Sequence, residues 1–232
     1  MIDRCDELMK KAGILIVTFI IVALSGLAMM GGWHRSRTSI PTAYTAQRKQ
    51  ANAYNKHLID SAVSMLKTGY IVLRSGAGAD SYLLAQMNRK DKTFSHCGIV
   101  MVEHGYPFVY HSIGGEDNPD ERLRRDSASF FFSPLHNDGL AVLQYDYDSN
   151  TINELQRVVY AYYKERPKFD LQFDLKTDDK LYCAEFVYKA VNKATHDSGY
   201  IKTTSVLGCT FVGIDDLFVN PHAHIVWKTK FK

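Results

Sequence analysis

Two apolar runs, Phe94-Ser95-His96-Cys97-Gly98-Ile99-Val100-Met101-Val102 and Phe108-Val109-Tyr110-His111, flank Glu103-His104-Gly105-Tyr106. A His-Gly centre suits the two-residue turn that joins antiparallel strands, so any fold of this chain must contain an antiparallel sheet built on this hairpin. With His104 and Gly105 as the loop, Val102 pairs with Pro107, Val100 with Val109 and Gly98 with His111. Side chains alternate across a strand, so His96 and His111 share a face as diagonal neighbours, roughly 5–8 Å apart at Cβ. Gly98, opposite His111, leaves room between them. Cys97 points to the other face and on this reading shares no site with His96. A slip of one residue would bring Tyr110 beside His96 instead.

A nucleophile to match these histidines lies in Lys180-Leu181-Tyr182-Cys183-Ala184-Glu185-Phe186-Val187-Tyr188-Lys189-Ala190-Val191. Phe186, Val187, Ala190, Val191 and Ala194 recur at helical spacing, and Thr177-Asp178-Asp179 offer capping side chains just before them. Cys183 therefore falls in or near a first helical turn, where unpaired N–H groups and the positive end of the macrodipole favour the thiolate. A lone helical cysteine is more often a small buried hydrophobe. The two histidines make Cys183 the candidate.

The rest of the chain is read around these two stretches. Residues 13–30, GILIVTFIIVALSGLAMM, are uncharged and apolar, and Gly31, Gly32 and Trp33 extend them to the ~20 residues of a membrane span. A cleaved signal peptide is the competing reading, although its apolar region is usually only ~7–15 residues long. The expected division is thus 1–34 for an anchor or signal segment and 35–232 for one folded domain. A net charge of +3, from 28 Lys and Arg against 25 Asp and Glu, gives no field that would attract nucleic acid. Cysteines at 5, 97, 183 and 209 have no metal-ligand spacing and are expected to be free thiols.

A helix is expected over 42–66, with Leu58, Ile59, Ala62, Val63 and Leu66 as its apolar stripe, and a strand over Tyr70-Ile71-Val72-Leu73. Residues 81–88 suit a short helix with Tyr82, Leu83 and Leu84 facing inward. Residues 112–139 read as irregular, their arginines solvated. A strand over Leu140–Tyr145 and a helix over 151–164, capped by Asn150 or Thr151, follow. Phe169 to Leu175 suit an exposed strand or extended arm leading to Cys183, and His222 and His224 by the strand Ile225-Val226-Trp227 are taken as structural.

Four blocks in order carry a resemblance: Gly69-Tyr70-Ile71-Val72-Leu73-Arg74-Ser75-Gly76, Ser95-His96-Cys97-Gly98-Ile99-Val100, Val109-Tyr110-His111-Ser112, and Phe169-Asp170 through Tyr182-Cys183-Ala184-Glu185-Phe186-Val187. Together they resemble the circularly permuted papain-like amidases, the YiiX-like branch of the NlpC-type cysteine peptidases, kin to lecithin retinol acyltransferase. The resemblance implies an α+β fold in which an antiparallel sheet packs against the helix carrying the cysteine, here with an N-terminal membrane helix added. It also implies Cys183 as nucleophile, His96 as general base and His111 as the orienting third residue. Where that family usually has Gly-Asp-Ile, this chain has Gly69-Tyr70-Ile71. Glu185, two residues past Cys183 and roughly 200° around the helix, is read as structural.

The expected activity is hydrolysis of an amide, ester or thioester bond through a Cys-His-His thiolate mechanism that needs no cofactor and no metal. Its substrate would be a small molecule, a peptide or a lipid. The expected protein is a monomer with no nucleic-acid partner, held to a membrane by residues 13–30 with its domain periplasmic or otherwise extracytoplasmic. A catalytically silent peptide- or lipid-binding module on the same anchor is the alternative that the Tyr70 departure supports.

Overall fold

The computed structural model describes residues 54–115 and 118–232. The apolar run 13–30 and the proposed boundary at 34 lie outside them. Among the described residues no helix is long and apolar enough to cross a membrane.

Helix α1 covers 54–64. It is followed by β1 (Ile71–Gly76), α2 (Ala79–Gln86), β2 (His96–Glu103), β3 (Tyr106–His111), β4 (Arg124–Ser127), α3 (Ala128–Phe131), β5 (Asn137–Tyr145), α4 (Ser149–Glu165), α5 (Cys183–Thr195), β6 (Thr204–Val206), β7 (Cys209–Phe211), α6 (Ile214–Phe218) and β8 (Ala223–Lys230). Six strands form one antiparallel sheet in the order β4-β3-β2-β1-β5-β8, and β6 and β7 form a separate ribbon.

Both faces of the six-stranded sheet are covered, which explains why its central strands are apolar at nearly every position. Ile71, Leu73, Cys97, Ile99, Met101, Ala141 and Leu143 pack in one layer with Leu155, Val159, Phe186 and Ala190 of α4 and α5. Their alternates Val72, Val100, Val109, Leu140 and Val142 pack in a second layer with Ile59, Ala62 and Leu66 and with Phe131 and Phe132. The period-two alternation of a strand thus becomes a choice between two cores.

The hairpin forms in the expected register. Val102 pairs with Pro107 and Val100 with Val109, and the turn residues His104 and Gly105 have φ of 50° and 82°. A Cβ on Gly98 would meet Val109 Cγ1 at 2.5 Å, the Tyr110 carbonyl oxygen at 2.8 Å and His111 Cβ at 3.1 Å, so only glycine allows this approach.

Several expectations are corrected. Tyr82 and Leu83 are exposed, and Ala85 is the buried residue of α2. Residues 112–139 are not irregular throughout, since they hold β4 and α3. Nor are their arginines simply solvated: Arg125 pairs with Glu103 and lies over the Phe108 ring, and Arg124 pairs with Asp126. Helix α4 is capped by Asp148, whose carboxylate accepts from the Thr151 N–H. Cys97 and Cys183 are free thiols, but Cys209 is disulfide-bonded. His224 bonds Asp146 and His222 stacks on Tyr200.

Candidate active site

Cys183 is the first residue of α5. The capping comes not from Thr177, Asp178 or Asp179 but from inside the helix, where Glu185 Oε2 accepts the Tyr182 backbone N–H at 3.1 Å. The Tyr182 hydroxyl accepts the Val212 N–H at 2.8 Å. The arm before the helix is tied down as well: Leu181 N–H donates to the Lys168 carbonyl, and the Ser112 hydroxyl donates to the Leu181 carbonyl. The start of α5 is therefore held to β3 and to the arm from both sides. Glu185 is fully buried, and burial pushes its carboxyl up to about 7. Its work is structural.

The two histidines meet as the hairpin register requires. His96 Nε2 lies 2.8 Å from His111 Nδ1, and His111 Nε2 lies 2.9 Å from Asp126 Oδ2. Asp126 in turn accepts from Arg124 at 2.9 Å through its other oxygen. This series assigns the protons. A carboxylate only accepts, so His111 Nε2 carries a proton and its Nδ1 is a lone pair; His96 Nε2 must then be the donor, and His96 Nδ1 is left as a lone pair. Among the described residues that Nδ1 takes no hydrogen bond.

Both rings favour neutrality. Burial, then the charge of Arg74 with His111 and Arg124 behind it, holds His96 well below its ordinary value. Burial brings His111 down to about 4 despite the opposing Asp126 bond. Burial raises the Asp126 carboxyl, but the bonds from His111 and Arg124 outweigh it and leave Asp126 below the usual range. Arg74 sits directly opposite His96 on β1 and stacks on Phe131 at 4.7 Å.

Cys183 and the histidines do not hydrogen-bond one another among the described residues. Cys183 shares its core layer with Cys97. Its pKa is drawn below the ordinary thiol value, first by the neighbouring Cys97 thiol and then by nearby backbone N–H groups acting against burial. Cys97 lies with Cys183 in the core layer under α5, whereas the His96 and His111 rings lie 5.6 Å and 5.2 Å from the ring of Phe131 in the other layer. The histidine pair and Cys183 thus lie in opposite layers of the sheet. The expected partner of the thiolate was a protonated His96; burial favours the neutral ring, which bonds His111 instead.

Sequence reasoning missed Asp126, Arg124, Arg74 and Cys97. Three follow from period two once the strands are known. Arg124 and Asp126 share the His111 face of β4 while Arg125 takes the other, and Arg74 shares its face with Val72.

No protein-family model matches the chain, and no curated protein matches it. Among solved structures, the crystal structure of the metalloprotein YiiX from Escherichia coli O157:H7 aligns with a TM-score of 0.58 over 71% of this chain and 98% of that one, at 17% identity. The fold is YiiX-like. The mixed α+β YiiX-like architecture agrees with the expected one, and at this identity the likeness concerns the fold alone. YiiX is described as a metalloprotein; among the described residues here no group of three or more His, Cys, Asp or Glu is arranged to hold a metal.

Proposed function

We propose that this chain is a cysteine-dependent hydrolase of amide or ester bonds, with Cys183 as nucleophile, His96 as general base, and His111 and Asp126 as the groups that orient it. The observation that carries the reading is the hydrogen-bonded series Arg124–Asp126–His111–His96, because it ends in an imidazole nitrogen, His96 Nδ1, that takes no hydrogen bond among the described residues. A merely structural histidine pair has no need of that free nitrogen.

In the reaction the Cys183 sulfur attacks the carbonyl carbon as its thiol proton passes to His96 Nδ1. The tetrahedral oxyanion forms over the N–H groups at the start of α5. His96 returns the proton to the leaving amine or alcohol, and then takes one from the water that releases the acyl group. On this reading Cys183 and His96 come together only when substrate closes the site, as catalytic hydrogen bonds often do. The partner chemistry is a small-molecule, peptide or lipid acyl compound.

The test is turnover of small activated esters and amides. Cys183→Ala should abolish it, and His96→Ala should slow it by about 10²–10⁴-fold. Hydrolysis at the native rate by either variant would refute the proposal. The reading as a binding module has one observation of its own: among the described residues Cys183 makes no hydrogen bond to either histidine, which pack in the other layer of the sheet. It is favoured if the pure protein turns over none of these compounds.

A further inference from the structure

The end of the sheet that carries the histidine pair is also where the chain enters the domain. Register puts Arg74 opposite His96, Ser75 opposite Gly139, Gly139 opposite Lys230 and His111 opposite Arg124. The ends of β1, β3 and β8 and the starts of β2, β4 and β5 therefore share one end, about 24 Å wide for five strand spacings. Just past β8, the Asn55 side chain donates to the Lys232 carbonyl at 2.9 Å and accepts the Lys232 N–H at 3.3 Å. The Lys232 ammonium donates to the Tyr54 hydroxyl at 3.3 Å and lies 5.4 Å from its ring centre. The start of α1 is thereby tied to this end.

Large apolar side chains stand out from it across the width of the sheet. Tyr54, Tyr82, Leu83 and Phe130 are each half-exposed or more. Tyr54 lies by the β8 side. Tyr82 and Leu83 lie at the centre, because α2 follows directly on β1 and its Ser81 packs so closely on Gly76 that a Cβ there would meet Ser81 Oγ at 2.1 Å. Phe130 lies at the β4 side, its ring 5.8 Å from the Arg124 guanidinium. Exposed apolar groups spread along one side of a domain mark a contact surface.

We propose that this end of the sheet rests on a lipid bilayer, with Tyr54, Tyr82, Leu83 and Phe130 entering the headgroup region. The chain that precedes α1 selects the occupant. Residues 13–30 are uncharged and apolar, and Gly31 to Trp33 extend them to the length of a membrane span. Only ~20 residues then separate Trp33 from Tyr54, and a flexible chain of that length reaches ~25 Å on average, against a diameter of roughly 40 Å for a domain of this size. A bilayer that holds 13–30 therefore lies closer to the Tyr54 end than to the β2–β3 turn at the opposite end. The chemistry agrees: tyrosine favours membrane interfaces, and Lys230 and Lys232, both exposed here, suit anionic headgroups. The proposal is independent of whether Cys183 reacts.

The experiment is photolabelling of the full chain reconstituted in vesicles of phosphatidylcholine and phosphatidylglycerol that contain a phospholipid with a diazirine on its acyl chain. Peptide mass spectrometry then maps the label. It should fall on Tyr54 and on the α2 peptide as well as on 13–30, and should spare the turn at Tyr106, which is equally exposed but lies at the far end. Replacing Tyr82 and Leu83 together by Ser should cut labelling of α2 several-fold, whereas Tyr106→Ser should leave the pattern unchanged. Should the double variant melt early, the native labelling map decides alone. Label confined to 13–30, or equal on α2 and the Tyr106 turn, overturns the proposal. So does a chain that alkaline carbonate strips from the vesicles, and so does cross-linking of α2 to a second copy in place of lipid. Turnover enters none of these readings, so loss of the hydrolase assignment leaves the result intact.

Discussion

His96, His111 and Asp126 act as one unit whose value lies in where the protons sit. The Asp126 carboxylate fixes the His111 tautomer, which fixes that of His96 and leaves Nδ1 free to accept. Asp126→Asn should therefore do more harm than its size suggests. An amide can donate to His111 Nε2, which would move each ring proton to the other nitrogen and put a hydrogen on His96 Nδ1. Turnover should fall by about 10²–10⁴-fold with little change in folding, a contrast that rates and melting curves read together. The same rings set a pH dependence of stability. His111 has a folded value of about 4 against an ordinary 6.5, so the folded state binds the proton less well than the unfolded one. Its contribution is fully present above the unfolded value and is lost as pH falls from 6.5 towards 4, about 3 kcal/mol in all, with His96 adding in the same direction. Urea denaturation at pH 7.5 and at pH 5 should show about 2 kcal/mol of that loss in the native protein and less in His111→Gln. The histidine pair was legible in the sequence because period two and a His-Gly turn leave little freedom. Asp126 was not, because a carboxylate 15 residues from His111 gives no sign of its partner until β4 is known.

At the level of elements, the hairpin and the cysteine helix were both legible, the first from its turn and the second from the spacing of Phe186, Val187, Ala190, Val191 and Ala194. Strand β4 was hidden because Arg124-Arg125-Asp126-Ser127 has the composition of a solvated loop. It is an edge strand whose charges are satisfied by Glu103 across the sheet and by one another, and charged edges are a known protection against further pairing. That Cys97 and Cys183 share a core layer was likewise invisible. Alternation correctly sent Cys97 away from His96, yet the face it was sent to is the one that α5 covers. Gly98 ties these elements together. In Gly98→Ala the new methyl would collide with Val109 and the Tyr110 carbonyl, pushing β3 from β2 at the point where His111 reaches His96. The expected cost is about 1–3 kcal/mol of stability by denaturant titration, with turnover falling as the imidazole contact opens.

For the whole molecule, the six-stranded sheet with helices on both faces builds one domain, with Cys183 in the layer under α4 and α5 and the histidine pair against Phe131 in the other. We propose that residues 13–30, uncharged, apolar and long enough to span a membrane, hold the domain outside it. Protease added to intact spheroplasts should then digest the domain from Thr42 onward, whereas digestion only after lysis would put it in the cytoplasm. The claim that most depends on all three scales is that Cys183 forms an acyl intermediate that His96 helps to resolve. Its most direct test is mass spectrometry of the protein stopped during turnover of an activated ester. The account predicts a single acyl group on Cys183, building up further in His96→Ala because release needs the base, and absent in Cys183→Ala. Acylation of Cys97 in place of Cys183, or a protein that hydrolyses the ester without ever carrying an acyl group on Cys183, would contradict it.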